Sequence, residues 1–219
     1  ADQDAFALQS QERAAAAMQA GYFDSQIVPV SVKQRREMVD FAKDEHPKAT
    51  TLEALSGLRA VFQKDGTVTA GNASGLNDGA AAMVLATAEA AEKAGLTPKF
   101  RVLGYAHAGV RPEVMGIGPV PAVRSLFEKT GLSASDFDVI ESNEAFASQA
   151  LAVTKELGLE PARVNPNGGA IALGHPVGAT GAIITIKAMY ELERTGGKRA
   201  LITMCIGGGQ GIALAIARI

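Results

Sequence analysis

The chain has 219 residues, enough to bury a sizeable core, and 47% of them are hydrophobic against 20% charged, as in a globular protein. The net charge of −2 offers no basic field for nucleic acid, and no apolar run is long enough to span a membrane. The single cysteine excludes an internal disulfide framework and a cysteine-based zinc site, and it indicates a reducing, cytoplasmic compartment.

The first part of the chain predicts short and irregular elements. It opens without methionine on an acidic segment that lacks the apolar core of a leader peptide, so we expect a cleaved or truncated product. Residues 1–20 predict a helix that Gly21 ends. Residues 27–32 alternate like a short edge strand, residues 34–51 predict an exposed loop or short helix, and another short helix begins at Thr51.

The part of the chain after Gly66 has the rhythm of an α/β domain. The apolar run AAAMVLA at 80–86 predicts a buried strand. Alternating strands and helices predict a layered fold with helices on both faces of a sheet, whose last two strands pair antiparallel. We expect a boundary near residue 76, between an irregular segment 1–76 and a domain 77–219. The predicted strands are 80–86, 100–110, 137–141, 199–206 and 212–217, and the predicted helices are 87–94, 121–130, 145–157 and 176–194, the longest.

The segment NEAFA, residues 143–147, follows the predicted strand 137–141 and leads into a helix. Residues at the carboxyl ends of strands in open α/β sheets face the ligand crevice. The Asn143 carboxamide can hold a water or a carbonyl oxygen there without titrating. The alternative is that Asn143 only caps the helix.

The segment GGAIALGHPVGATG, residues 168–181, places His175 directly before Pro176. Proline favours the first position of a helix, so His175 is predicted at the cap, where the positive end of the helix dipole disfavours imidazolium. A neutral imidazole can accept a proton from a thiol. The alternative is a histidine that only caps the helix, but five glycines in fourteen residues favour backbone that something must approach closely.

The segment CIGGGQG, residues 205–211, ends a predicted apolar strand. Cys205 is there either a small core residue or a functional thiol, and a free thiol is only about 3% thiolate at neutral pH. Bare glycine amides and a nearby histidine would raise that fraction and can stabilise an oxyanion. Neither glycine run fits a phosphate-binding loop or a dinucleotide fingerprint, so nucleotide binding by those routes is not expected.

Together with the segment TVTAGNASGLND at 67–78, these three motifs, in this order and at these separations, resemble the thiolase family. The resemblance covers the whole chain and is closest to bacterial acetyl-CoA acetyltransferases and broader β-ketothiolases. It implies a fold of two similar α/β halves, each a mixed five-stranded sheet covered by helices, with a loop domain inserted in the first half. Residues 1–76 would be the remainder of the loop domain and residues 77–219 the second half.

The resemblance also implies catalytic roles. His175 would deprotonate an acyl-carrying cysteine, Asn143 would hold a water that forms an oxyanion site with His175, and the Gly207 amide would contribute to a second oxyanion site. Cys205 would exchange protons with coenzyme A or with the acyl α-carbon. No residue here matches the acyl-carrying cysteine, which belongs to the family's N-terminal half, so we expect the chain alone to be inactive.

Coenzyme A is implied as a substrate, with no further cofactor and no metal. The resemblance puts its pantetheine arm beside Ser74 and Ala70, and its nucleotide phosphates near Lys48, where the family often has an arginine. The implied walls of the pantetheine site are Phe62, Met115, Ala145 and Phe146.

The implied assembly is a dimer or tetramer of a full protein that includes the missing N-terminal half. A C-terminal half alone would expose apolar surface, which we expect at the GGAIALGHP segment and the helix after Asn143. We also expect His175, Cys205 and Asn143 to surround one cavity. The absent nucleophile favours one alternative, a non-catalytic acyl-CoA-binding or dimerisation module derived from a thiolase. A ketoacyl synthase is a second alternative, which the CIGGGQG strand end disfavours.

Overall fold

The structure is a computed structural model that describes residues 1–219. The N-terminal part of the chain is a long helix followed by a small hairpin. Helix α1 spans Asp2–Gln19, and strands β1 (Val30–Gln34) and β2 (Glu37–Phe41) pair antiparallel. The expectation of a loop or short helix over 34–51 is therefore wrong at 34 and 37–41, because a tight turn lets β2 fold back and hydrogen-bond to β1. Residues 42–50 form a largely exposed loop, as expected. Helix α2 (Leu52–Ser56) follows, as predicted.

The α/β part contains one mixed sheet in the order β3-β6-β5-β4. Strands β4 and β5 run parallel, whereas β6 is antiparallel to both of its neighbours. The predicted antiparallel pairing of the last two strands is confirmed. The sheet has four strands in this chain rather than five: β3 (Phe100–Gly109), β4 (Val139–Ser142), β5 (Arg199–Ile206) and β6 (Gln210–Arg218).

Five helices accompany the sheet, and the last begins later than predicted. The carbonyl oxygen of Pro176 accepts hydrogen bonds from the backbone N–H groups of Ala179 and Thr180, at 2.8 and 2.9 Å, which closes a turn before the helix. The final helix therefore starts at Thr180 and, with 16 residues, is shorter than the 18-residue α1. The helices are α3 (Ala88–Lys93), α4 (Pro119–Thr130), α5 (Ala147–Leu157), α6 (Ala170–Leu173) and α7 (Thr180–Thr195).

Two apolar cores cover the two faces of the sheet. Successive strand residues point to opposite faces, so Val139 packs in one core while its neighbour Ile140 packs in the other. Leu126 of α4 is fully buried in the core with Ile140, and Leu192 of α7 in the core with Val139. Each such buried side chain contributes about 1.5–3 kcal/mol, and the prediction of helices on both faces is confirmed.

The apolar run at 80–86 is not the buried strand that its composition predicts. It forms no regular structure, and none of the backbone–backbone hydrogen bonds involves residues 78–86. Val84 and Leu85 are 87% and 75% exposed. A strand is stable only when a neighbouring strand satisfies its N–H and C=O groups, and no strand of this chain lies alongside.

The exposed apolar surface therefore lies elsewhere than predicted. The GGAIALGHP segment is largely buried, with Ile171 only 2% exposed. Ile171 forms a small apolar cluster with Ala147 of α5, Leu55 of α2 and Ala7 of α1, because α1 packs against both α5 and α6. None of the helices is long and apolar enough to cross a membrane.

Candidate active site

Asn143 lies just past the carboxyl end of β4. Its backbone N–H donates to the carbonyl oxygen of Thr203 on β5 at 3.0 Å, which extends the parallel pairing of the two strands by one residue. Asn143 is 2% exposed. The N-cap residue of α5 is Phe146, so the alternative that Asn143 caps this helix is wrong.

His175 is fixed at both its backbone and its ring. Its backbone N–H lies 3.1 Å from the carbonyl oxygen of Gly75 and 3.1 Å from Oδ1 of Asn77. Its ring Nε2 is 3.3 Å from Nδ2 of Asn143, and its ring Nδ1 is 2.7 Å from Oγ1 of Thr180. The histidine and the asparagine that the sequence singles out are therefore in direct contact.

The protonation state of His175 follows from burial rather than from a capping position. The N-cap of α7 is Ala179, so the prediction that His175 caps this helix is wrong. Burial lowers the pKa of His175 below its usual 6.5, because a half-buried imidazolium loses hydration. The imidazole is thus neutral near pH 7, as the sequence predicts, and can accept a proton.

A buried carboxylate connects the segment after Asn143 to the loop that carries His175. Glu144 accepts hydrogen bonds from Ser10 Oγ at 2.7 Å, from Asn165 Nδ2 at 2.8 Å and from the backbone N–H of Ile171 at 3.3 Å. A Cβ added to Gly169 would meet the Glu144 carboxyl carbon at 2.1 Å, so only glycine fits there. Burial raises the pKa of Glu144 although these donors oppose it.

A second buried charged side chain hydrogen-bonds to the same loop. Lys187 of α7 donates to Glu141 Oε2 at 2.9 Å and to the carbonyl oxygen of Gly168 at 2.7 Å. Burial raises the pKa of Glu141 even though the Lys187 ammonium opposes the rise. The start of the GGAIALGHPVGATG segment is therefore held by α1, β4 and α7 together.

Cys205 is the penultimate residue of β5, the strand that pairs with β4, and Asn143 lies just past the end of β4. It is 7% exposed and belongs to neither sheet core. Burial raises the pKa of its thiol, so the resting side chain is protonated, contrary to the expectation that its surroundings would favour thiolate. The turn that follows has positive φ at Gly208 and Gly209, and a Cβ on Gly207 would meet no atom within 4 Å.

Four of the residues implied for coenzyme A binding are paired by direct contacts with one another. The backbone N–H of Ser74 donates to the carbonyl oxygen of Ala145 at 3.0 Å. The rings of Phe62 and Phe146 meet edge to face, with centroids 6.0 Å apart and an angle of 77° between planes. Ala70 lies four residues before Ser74, at an exposed turn.

The two remaining residues lie on other elements. Met115 is half-buried in a 3₁₀ turn, Pro112–Ile117, that packs against α5 and β5. Lys48 is exposed, and its backbone N–H donates to Gln11 of α1 at 3.0 Å. Its anchor is thus α1 rather than the Ser74–Phe146 group.

Four residues of the site were not anticipated from the sequence. Asn77 and Thr180 hold His175, while Ser10 and Glu144 hold the loop before it. Asn77 and Thr180 stand inside the motifs TVTAGNASGLND and GGAIALGHPVGATG, so their position was a usable signal. Ser10 lies 134 residues from Glu144 in sequence, and nothing local indicates their contact.

Comparison with known proteins decides the family. The family described as "Thiolase, N-terminal domain" matches residues 1–89, and "Thiolase, C-terminal domain" matches residues 96–218. The chain belongs to the thiolase family. This membership excludes the ketoacyl synthase alternative and confirms the resemblance drawn from the motifs.

The relatives agree in sequence and in structure. The chain is 60% identical to the β-ketoadipyl-CoA thiolase of Pseudomonas putida, matching 100% of this chain and 56% of that protein. It superposes on the acetyl-CoA acetyltransferase of Bacillus anthracis with a TM-score of 0.97 and 52% identity, covering 100% of this chain and 56% of the other. For human mitochondrial 3-ketoacyl-CoA thiolase in complex with CoA, the TM-score is 0.91 at 47% identity, covering 99% and 54%. This thiolase chain thus spans a little over half the length of these relatives.

Proposed function

We propose that this chain supplies the acid/base half of an acyl-CoA C-acyltransferase, an acetyl-CoA acetyltransferase or 3-ketoacyl-CoA thiolase. The observation that carries the proposal is the contact between the ring of His175 and the side chain of Asn143, 3.3 Å apart. Two polar side chains that meet at the carboxyl end of a parallel strand pair form a site for chemistry rather than for packing. The cysteine that carries the acyl group belongs to the part of the protein that this chain does not include.

The acyl-transfer step uses both proton-transfer residues. His175 takes the thiol proton of the acyl-carrying cysteine, and the thiolate attacks the thioester carbonyl of an acyl-CoA. The departing coenzyme A thiolate takes the Cys205 proton and leaves as the thiol. The raised pKa of Cys205 supports this role, because the thiol then begins the cycle protonated.

The condensation step closes the proton balance. The Cys205 thiolate removes a proton from the α-carbon of a second acyl-CoA, and the resulting carbanion attacks the acyl-enzyme thioester. The released enzyme thiolate recovers its proton from His175. A water on Asn143 and the Gly207 amide stabilise the two oxyanions, each such donor contributing about 3–4 kcal/mol.

Coenzyme A serves as a substrate, and no further cofactor is needed. The backbone of Ser74 and Ala145, with the Phe62–Phe146 ring pair at 6.0 Å, offers a mixed polar and apolar wall that suits a pantetheine arm. Ala70 and Met115 extend this wall. Lys48 meets the nucleotide phosphates as a point charge.

The full protein is a cytoplasmic homodimer or homotetramer in which the missing N-terminal part completes the site. The unpaired apolar run at 80–86, with Val84 87% exposed, supports this arrangement. A strand added alongside would satisfy its backbone groups and remove its apolar surface from water.

One alternative rests on a single observation. The chain has one cysteine, which cannot act as acyl carrier and proton shuttle at once. A non-catalytic acyl-CoA-binding module derived from a thiolase would also lack an acyl-carrying cysteine. The catalytic proposal requires His175 and Asn143 to be indispensable for turnover, whereas a binding module does not.

Acetoacetyl-CoA cleavage tests the proposal in two preparations. The purified chain alone is expected to be inactive, and the chain joined to the N-terminal part of the Pseudomonas putida relative is expected to be active. His175→Asn in the joined protein should lower kcat by roughly 10²–10⁴-fold, the contribution of general acid/base catalysis. Cleavage by the chain alone, or full activity of the His175→Asn variant, would refute the assignment.

A further inference from the structure

The hydroxyl of Thr180 stands between the ring of His175 and the backbone of Pro176. Thr180 Oγ1 is 2.7 Å from His175 Nδ1 and 2.9 Å from the Pro176 carbonyl oxygen. Thr180 is only 2% exposed, so water does not compete for either contact. Both contacts are short enough to be hydrogen bonds.

The proton count allows one arrangement in which both contacts are hydrogen bonds. A hydroxyl has a single proton to donate, and the Pro176 carbonyl oxygen can only accept. If Thr180 donated to His175, two oxygen atoms would face each other at 2.9 Å without a proton between them. Thr180 therefore donates to Pro176, as threonines commonly do to the carbonyl four residues back, and accepts from the N–H at His175 Nδ1.

We propose that Thr180 is a positioning residue that holds neutral His175 in the Nδ1–H tautomer, so that Nε2 is the nitrogen that takes the proton in catalysis. A neutral imidazole has one N–H and one lone pair, and the hydrogen bond at one nitrogen sets the role of the other. The lone pair of His175 Nε2 then faces the side chain of Asn143.

The contact with Asn143 agrees with this assignment. A lone pair on His175 Nε2 requires a donor opposite, and Asn143 Nδ2 lies there at 3.3 Å. Because Nδ2 faces His175, the orientation of the Asn143 amide is fixed. Its Oδ1 is then a buried atom without a hydrogen-bond partner. That oxygen is free to accept a hydrogen bond from the water that the proposed function requires.

The chain contains a matched control for Thr180. Thr185 lies five residues further along α7, is 7% exposed and donates from Oγ1 to the Gly181 carbonyl oxygen at 2.7 Å. Thr185→Val removes the same kind of hydrogen bond without touching His175. Thr180→Ser keeps the hydroxyl, whereas Thr180→Val keeps the shape and removes it.

Nitrogen-15 NMR of the histidine rings in the 219-residue chain reads the tautomer directly. The chain has three histidines, and a His175→Gln variant identifies the His175 signals by their loss. We expect the Nδ1–H form in the wild type, in Thr180→Ser and in Thr185→Val, and a shift toward the Nε2–H form in Thr180→Val. An Nε2–H tautomer in the wild type overturns the proposal even if Thr180→Val fails to fold.

Kinetics on the joined enzyme add a second readout, which rests on the proposed function. Thr180→Val should lower kcat at least tenfold with KM nearly unchanged, because the wrong tautomer presents an N–H to the thiol instead of a lone pair. Thr180→Ser and Thr185→Val should stay within about threefold of the wild type in kcat. An inactive wild-type enzyme would refute the proposed function but leave the NMR result standing, whereas an active Thr180→Val enzyme with unchanged kcat would refute the role of Thr180.

Discussion

Removing the Glu144 carboxylate should destabilise the chain strongly, because three donors converge on it. Ser10 Oγ, Asn165 Nδ2 and the Ile171 backbone N–H lie at 2.7, 2.8 and 3.3 Å. In Glu144→Ala each loses its acceptor in a site where the residue is only 2% exposed. The variant also removes the link through Glu144 between α1 and the loop before His175, although the Gly169 N–H still donates directly to Ser10 Oγ at 3.0 Å.

The magnitude follows from opposing terms. A hydrogen bond to a charged group contributes about 1.5–3 kcal/mol, so three of them amount to roughly 4–9 kcal/mol. Desolvation of a buried carboxylate costs several kcal/mol and is relieved in the variant. We therefore expect a net loss of about 3 kcal/mol for Glu144→Ala, equivalent to a fall in Tm of about 6–12 °C for a chain of this size.

Glu144→Gln separates the charge from the shape. Its amide oxygen can still accept from Asn165, and its NH₂ group can donate to the Ser10 oxygen, but the NH₂ group also faces the Ile171 N–H. One mismatched donor pair costs about 1–2 kcal/mol, so this variant should lie between the wild type and Glu144→Ala.

Urea denaturation followed by circular dichroism measures these free energies of unfolding, with equal m-values as the test of comparability. Glu156→Ala is the control, since Glu156 is 59% exposed and only pairs with Arg124 at 3.6 Å, and it should change stability by less than about 0.5 kcal/mol. A Glu144→Ala variant within about 1 kcal/mol of the wild type would refute the view that this carboxylate ties the loop to α1.

Two further predictions concern pH and association. Burial lowers the pKa of His175 below 6.5, so between that lowered value and 6.5 the folded chain binds fewer protons than the unfolded chain. The free energy of unfolding should therefore fall as pH drops through this window. A His175→Asn variant, measured by denaturation at several pH values, should lack that part of the fall. The unpaired apolar run at 80–86 should make the isolated chain self-associate in sedimentation, and Leu85→Lys should weaken the association; a stable monomer of 22.6 kDa would favour the independent binding module.

The sequence predicted the elements that are stabilised by local contacts or by contacts with other parts of this chain. Strand β5 has the predicted bounds of 199–206, and α3 and β3 differ from prediction by only one or two residues. The run at 80–86 was mispredicted because apolar composition favours burial, whereas a strand also needs a neighbouring strand for its N–H and C=O groups, and residues 78–86 make no backbone–backbone hydrogen bonds. Apolar composition alone therefore does not show that a segment forms a buried strand.

The site residues that stand inside recognisable sequence motifs were predictable. His175 and Asn143 stand in recognisable segments and were expected beside one cavity with Cys205, and the structure brings the His175 ring and the Asn143 amide to 3.3 Å. The start of α7 was misplaced because a proline before a helix can equally begin a turn, as Pro176 does here. The Ser10–Glu144 contact could not be foreseen, because a long-range hydrogen bond leaves no periodic signal in the sequence.

The most direct test of the central claim is to locate the acyl group. The joined protein is incubated with acetyl-CoA, quenched in acid and mapped by peptide mass spectrometry. The account predicts an acetyl group on a cysteine outside these 219 residues, none on Cys205, and slower acetylation in His175→Asn. An acetyl group on Cys205 would contradict the division of roles between the two parts of the protein.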